Sequence, residues 1–178
     1  MFFTEHVQPG DNGRCPQGEQ TVITIICGEN NQGKTAKIKS IYAEEMKGDG
    51  FITEKIFSNS IFCGYKITRL STGESVTQSL KTEFFPQDEN VLYTCGSLSF
   101  TKDGFDFAES IIHDIIDKRI SPVFIDEIGP LELKGKGIHD SFKKILRTDG
   151  AVYFTVRKHC FERAVRTFSV EKYTLINI

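Results

Sequence analysis

Val22-Ile23-Thr24-Ile25-Ile26-Cys27-Gly28-Glu29-Asn30-Asn31-Gln32-Gly33-Lys34-Thr35-Ala36 is the stretch on which the fold turns. Its first six residues are a nearly unbroken β-branched run, the pattern of a strand buried on both faces of a parallel sheet. A polar, glycine-bounded loop follows. From Lys34 to Lys47 the apolar residues Ile38, Ile41, Tyr42 and Met46 recur at helical spacing, and Gly48 to Gly50 end the helix. Strand, glycine loop and helix together open an α/β domain. The loop itself reads G-x-x-x-x-G-K-[ST]. Its glycines let the backbone wrap phosphate oxygens, successive N–H groups form an anion cradle, and the helix N-terminus adds roughly half a positive charge. Gly28, Glu29, Asn30, Asn31, Gln32, Gly33, Lys34, Thr35 and Ala36 are therefore the expected nucleotide-binding residues. Lys34 is placed to reach the β- and γ-phosphates, and the Thr35 hydroxyl to bind Mg²⁺. Asn31 stands where many such loops carry glycine, and asparagine tolerates positive φ better than most residues.

A second run, Ser121-Pro122-Val123-Phe124-Ile125-Asp126-Glu127, is an apolar strand ending in acid. Asp126 is the expected holder of the Mg²⁺ shell at the carboxyl end of the sheet. Glu127 beside it can orient or deprotonate an attacking water. Gly129 completes D-x-x-G, the pattern whose backbone N–H touches a γ-phosphate. The guanine-reading N/T-K-x-D that should follow is missing; the nearest match, Thr101-Lys102-Asp103, is upstream with the wrong spacing.

Working outward, Phe51–Phe57 and Ser60–Leu70 read as two β-rich runs of an antiparallel hairpin or meander. Val91–Phe100 reads as another short strand and Phe107–Lys118 as a helix that Asp106 can cap. Ile138 to Leu146 marks a further helix, Ala151–Val156 a strand, Phe161–Phe168 a short helix and Tyr173–Ile178 a closing strand. Residues 1–20, with three glycines and two prolines and no periodicity, read as a loop-rich extension, leaving 21–178 as one domain. The 178 residues fit a single domain with a sizeable core. The 22 basic and 24 acidic residues give a net charge of −2, which disfavours a nucleic-acid binder held by bulk charge. Five cysteines without any C-x-x-C pair support neither a zinc ribbon nor a disulfide framework. No apolar run is long enough to span a membrane, and the start lacks the basic and apolar regions of a signal peptide. The expectation is a soluble, cytoplasmic protein. His6, His113, His139 and His159 have no metal-ligand spacing and read as surface residues.

Asp126-Glu127-Ile128-Gly129-Pro130-Leu131-Glu132-Leu133 resembles the DEIG-x-[ML]-EL signature of the P-loop nucleoside-triphosphatases first described from hyperthermophiles, which include a human cancer-related relative. Gly50-Phe51-Ile52-Thr53-Glu54 is similar to that family's G-F-x-T-E stretch, and order and spacing agree from about Thr21 to Phe168. The resemblance implies a three-layer P-loop NTPase fold: a mostly parallel central sheet flanked by helices, with a small antiparallel β insertion after the first helix. It also implies Mg²⁺-dependent hydrolysis of nucleoside triphosphates to diphosphates with broad base tolerance. Lys34, Thr35, Asp126 and Glu127 carry over directly. Residues 1–20 have no counterpart, and Thr155-Val156-Arg157-Lys158-His159 matches the family's basic stretch only loosely.

Arg157 is the expected cation for charge building on the phosphate oxygens, with Arg119, Arg147, Arg163 and Arg166 as weaker rivals. Thr53 and Glu54 fit equally a loop beside the γ-phosphate or an ordinary second strand. The expected catalytic set is thus Lys34, Glu127 and Arg157, with Thr35 and Asp126 holding Mg²⁺. Two other functions compete with hydrolysis. A small-molecule or nucleotide kinase on the same fold would need an arginine-bearing lid, whereas Leu133-Lys134-Gly135-Lys136-Gly137 is short and carries lysines only. An NTP-dependent switch would need a protein partner that nothing in the sequence names. The 15 phenylalanines could supply an exposed patch for one, though core packing accounts for them more simply.

Overall fold

A computed structural model describes residues 21–85 and 91–178. The loop-rich stretch expected over 1–20, with His6 and Cys15, lies outside the described residues. The β-branched run forms β1 (Val22–Gly28), and the helical spacing after the glycine loop forms α1 (Lys34–Glu45). Then come β2 (Asp49–Ser58), β3 (Ile61–Arg69) and β4 (Ser75–Lys81), so Gly50 belongs to a strand and not to the helix end. A Cβ there would lie 1.9 Å from the Phe124 carbonyl oxygen, so only glycine lets the neighbouring strand approach this closely.

Two expectations need correcting. Val91–Phe100 is not one strand. It is a hairpin of β5 (Val91–Cys95) and β6 (Leu98–Thr101), turned through Gly96 at φ 61°. The helix expected from Phe107 starts five residues earlier, as α2 (Lys102–Lys118). Its cap is Thr101, whose hydroxyl accepts from the Gly104 N–H at 3.0 Å. Asp106 instead pairs with Lys102 one turn back. The rest of the chain supplies β7 (Val123–Ile128), α3 (His139–Ile145), β8 (Ala151–Arg157), α4 (Phe161–Thr167) and β9 (Thr174–Asn177).

The described strands form one mixed sheet in the order β5-β6-β4-β3-β2-β7-β8-β1-β9. Pairing is parallel from β2 through β7, β8 and β1 to β9, and antiparallel from β2 outward to β5. The parallel half aligns the carboxyl ends of β1, β7 and β8, where the glycine loop, Asp126-Glu127 and Arg157 sit.

Alternate side chains fill two apolar clusters. Ile26 and Phe124 pack with Ile38 and Ile41 of α1. Ile25, Val123 and Ile125 pack with Ile111, Ile112 and Ile115 of α2 and with Phe142 of α3. Full burial of such a side chain stabilises by about 1.5–3 kcal/mol. Of the thirteen described phenylalanines six are buried, Phe124, Phe142 and Phe154 fully, while Phe57 and Phe84 stay exposed. Where the two halves meet, buried Asp49 accepts from Arg69 at 2.7 Å, and Arg69 Nη1 also reaches Asp114 of α2 at 2.9 Å. That triad ties β2 and β3 to α2.

Candidate active site

The glycine loop takes its shape from two residues in left-handed backbone, Asn31 at φ 65° and Gly33 at φ 95°. Asn31 thus occupies the conformation its residue type tolerates. Its side-chain oxygen accepts from Lys55 at 2.7 Å, and Gln32 Oε1 accepts from the Glu29 N–H at 2.6 Å. The first turn of α1 holds no acidic residue, so the positive helix end opens on the loop uncompensated. Lys34 is 6% exposed and donates to the carbonyls of Gly28 at 3.2 Å and Glu29 at 2.8 Å.

Asp126, in the carboxyl-terminal half of β7, is a buried carboxylate surrounded by donors. Thr35 Oγ1 donates to its Oδ2 at 2.7 Å, Thr155 Oγ1 to its Oδ1 at 2.5 Å, and the Thr53 N–H to Oδ2 at 3.1 Å. Thr53 Oγ1 also donates to the Asp126 carbonyl at 2.5 Å. Burial pushes the Asp126 carboxyl above the usual carboxylate range, and the hydrogen bonds from Thr155, Thr35 and Thr53 oppose that push. Thr35 and Asp126 thereby present two hard oxygen donors side by side, a set suited to Mg²⁺.

Glu127, the next residue, lines the same cavity as Asp126 but has different partners. Its Oε1 accepts from Arg157 Nε at 2.7 Å, and its Oε2 stands 3.6 Å from Lys34 Nζ. One carboxylate thus faces two cations at the mouth of the loop. Glu54 is engaged separately, with Lys39 at 2.7 Å and Thr68 at 2.8 Å, and the bond from Lys39 holds its carboxyl below the usual range.

A cavity of about 730 Å³ joins these groups. Asn30, Asn31, Gly33, Lys34, Thr35, Ala36, Asp126, Glu127, Gly129 and Arg157 all line it. Gly28, Glu29 and Gln32 do not; they shape the loop from behind. Of the rival arginines, Arg163 donates to the Leu133 carbonyl and Arg166 pairs with Glu162, and none lines the cavity. Thr53 and Glu54 lie on β2 and also face the cavity, so the two readings of that pair coincide. Thr101-Lys102-Asp103 is the start of α2.

Sequence reasoning missed two residues. Thr155, the polar residue within Val152–Val156, left a signal only as a hydroxyl in a strand otherwise apolar at its centre. Glu132, though quoted in the signature, had no assigned role. It is buried, its Oε2 accepts from the Gly129 N–H at 2.9 Å, and burial raises its carboxyl to about 7. His139 is also a correction. It is not a surface residue: its ring is half-buried against Phe168 at 5.2 Å, with Nδ1 2.6 Å from the Glu132 carbonyl. His113 and His159 are exposed.

Among the described residues, no helix is long and apolar enough to cross a membrane, and no group of three or more His, Cys, Asp or Glu side chains could hold a metal ion. Cys27, Cys63, Cys95 and Cys160 are free.

The model of a protein family described as NTPase matches residues 23–178. The fold is similar to the crystal structure of THEP1 from the hyperthermophile Aquifex aeolicus, at 25% identity and a TM-score of 0.68, covering 88% of this chain and 89% of that one. It is also similar to the solution structure of a human cancer-related nucleoside triphosphatase, at 18% identity and a TM-score of 0.64, covering 88% of each chain. No curated protein matches the sequence.

Proposed function

The chain belongs to the NTPase family, and from that premise we propose that it hydrolyses the β–γ phosphoanhydride bond of nucleoside 5′-triphosphates, with Mg²⁺ as cofactor and broad tolerance of the base. The observation that carries this reading is the convergence of Lys34, Glu127 and Arg157 on one cavity, beside a Thr35–Asp126 pair. The three-layer reading of the fold is supported by the two apolar clusters that use alternate residues of β1 and β7.

The β-phosphate lies in the loop, against the N–H groups of the cavity-lining residues Asn30, Asn31 and Gly33 to Ala36 and the open end of α1. Its oxygens and those of the γ-phosphate replace the Gly28 and Glu29 carbonyls as partners of Lys34. Arg157 swings from Glu127 to the same oxygens, where charge builds in the transition state. Freed of both cations, Glu127 orients the attacking water and takes its proton. Gly129, held by Glu132, borders the space the γ-phosphate occupies. Thr35 and Asp126 would hold Mg²⁺, which neutralises charge on the β- and γ-oxygens when bound. A bound cation also suits the Asp126 carboxylate, which burial alone drives toward its neutral form.

Base tolerance follows from where the contacts fall. The loop groups address phosphate, and Thr101-Lys102-Asp103 is occupied in starting α2. A cytoplasmic setting fits the free cysteines. Steady-state phosphate release from ATP with Mg²⁺, against the same assay in EDTA, tests the reading. Turnover that requires the metal supports it, and turnover unaffected by EDTA removes Mg²⁺ from it.

A further inference from the structure

The cavity is larger than a triphosphate requires, and its far half is built from different elements. Past Glu54 and Glu127 it runs along the antiparallel half of the sheet. There Tyr65 of β3, Gln78 of β4, Leu98 and Phe100 of β6, Phe105 of α2 and Leu131 form the wall. Phe100 and Phe105 stack with centroids 5.9 Å apart. The whole cavity falls within the size range of pockets that enclose small organic molecules.

Strand order decides what can reach this half. The loop that takes the β-phosphate follows β1, and Glu127, which faces the γ-phosphate, lies near the carboxyl end of β7 two strands over. The line from β- to γ-phosphate therefore points from β1 toward β7, and the nucleoside leaves on the opposite side, toward β9. The far half lies ahead of the γ-phosphate: β4 is three strands beyond β7, roughly 14 Å across the sheet. A nucleophile attacking in line approaches from that direction.

We propose that the far half is an acceptor subsite for a nucleoside, whose hydroxyl takes the place of water at the γ-phosphate. The proposal rests on the hydrolytic reading for the position of that phosphate. Aromatic walls suit a planar heterocycle by stacking. The Gln78 side chain offers a neutral amide donor and acceptor to its edge. An already phosphorylated acceptor is disfavoured because none of the residues named on that wall carries a cationic side chain to meet a second phosphate. In the transfer step the nucleoside oxygen bonds to the γ-phosphorus and the bridging oxygen–phosphorus bond breaks. The broken bond's electron pair stays on the nucleoside diphosphate, and the hydroxyl proton passes to Glu127.

The test supplies adenosine, guanosine, cytidine and uridine in turn with Mg²⁺ and γ-labelled ATP, and measures labelled nucleoside monophosphate beside free phosphate. Calorimetric binding of each nucleoside to the ADP-loaded protein is read in parallel. The expected result is binding and a labelled product with at least one nucleoside. Gln78→Leu and Tyr65→Ala should each lower transfer relative to hydrolysis about tenfold, the scale of one lost base contact. Hydrolysis with no nucleoside bound and no labelled product overturns the subsite. So does a rise in the KM for ATP in both variants with nucleosides competing against ATP, which would put the triphosphate's own base there. Absence of hydrolysis with every triphosphate fails the parent reading instead, and nucleoside binding lost in Gln78→Leu would still support the subsite.

Discussion

Glu127→Gln isolates the step on which the mechanism depends. The substitution keeps shape and removes a charge that faces Arg157 at 2.7 Å and Lys34 at 3.6 Å. Arg157 is about one-third exposed, so its lost pairing costs little stability. Lys34 keeps the Gly28 and Glu29 carbonyls. The fold should therefore survive, and nucleotide binding should hold or tighten, because the carboxylate no longer competes with phosphate for the two cations. Turnover behaves differently. A positioned general base contributes about 10²–10⁴-fold, or roughly 3–5 kcal/mol of barrier. Single-turnover phosphate release should thus fall at least about a hundredfold while the Kd for ATP, read by calorimetry, does not rise. Hydrolysis at the wild-type rate would refute the assignment of Glu127, and a large rise in Kd would make it a structural partner of Lys34.

Other predictions follow from the same contacts. Arg69→Ala leaves Asp49 charged and buried without its partner, and should cost about 3 kcal/mol in denaturant unfolding, the lower end for a broken buried pair. Thr155→Val removes a 2.5 Å bond to buried Asp126 and should raise the Mg²⁺ concentration needed for half-maximal activity, with about 1.5 kcal/mol lost in stability. Glu132 sits at about 7 in the folded protein against 4.5 unfolded, so between those values the folded state holds more protons than the unfolded. Its contribution to stability is then lost as pH rises from 4.5 to 7, by roughly 3 kcal/mol in all. Glu132→Gln should flatten that part of the pH–stability curve and leave the variant the more stable one at pH 8, and an unchanged curve would contradict it.

The parallel half of the fold was legible because its strands are apolar on both faces and its loop chemistry is local. Val22–Cys27 and the glycine loop announce themselves without reference to anything distant. The antiparallel half was harder to read. Its strands are partly exposed, and β5 and β6 run together in sequence with only Gly96 and Ser97 between them. The start of α2 was missed because Thr101 closes a strand and caps a helix at once, while Asp106 has the residue type of a cap but pairs within its own helix. The site divides the same way. Lys34, Thr35, Asp126 and Glu127 lie in two contiguous motifs, and the sheet's parallel order brings them together. Thr155 and Glu132 act through contacts that only tertiary structure creates: one across a neighbouring strand, the other back across a turn. Arg157 was singled out by sequence, but its resting partner Glu127 is visible only where β7 and β8 lie side by side.

The most direct measurement is phosphate release from ATP, GTP, CTP and UTP with Mg²⁺, wild type against Lys34→Ala. The account predicts release from several of the four in the wild type, and none above background in the variant, since Lys34 is the loop's one cationic side chain on the β- and γ-phosphates. Tight nucleotide binding by the wild type without release from any of the four, or release that persists in Lys34→Ala, would contradict it.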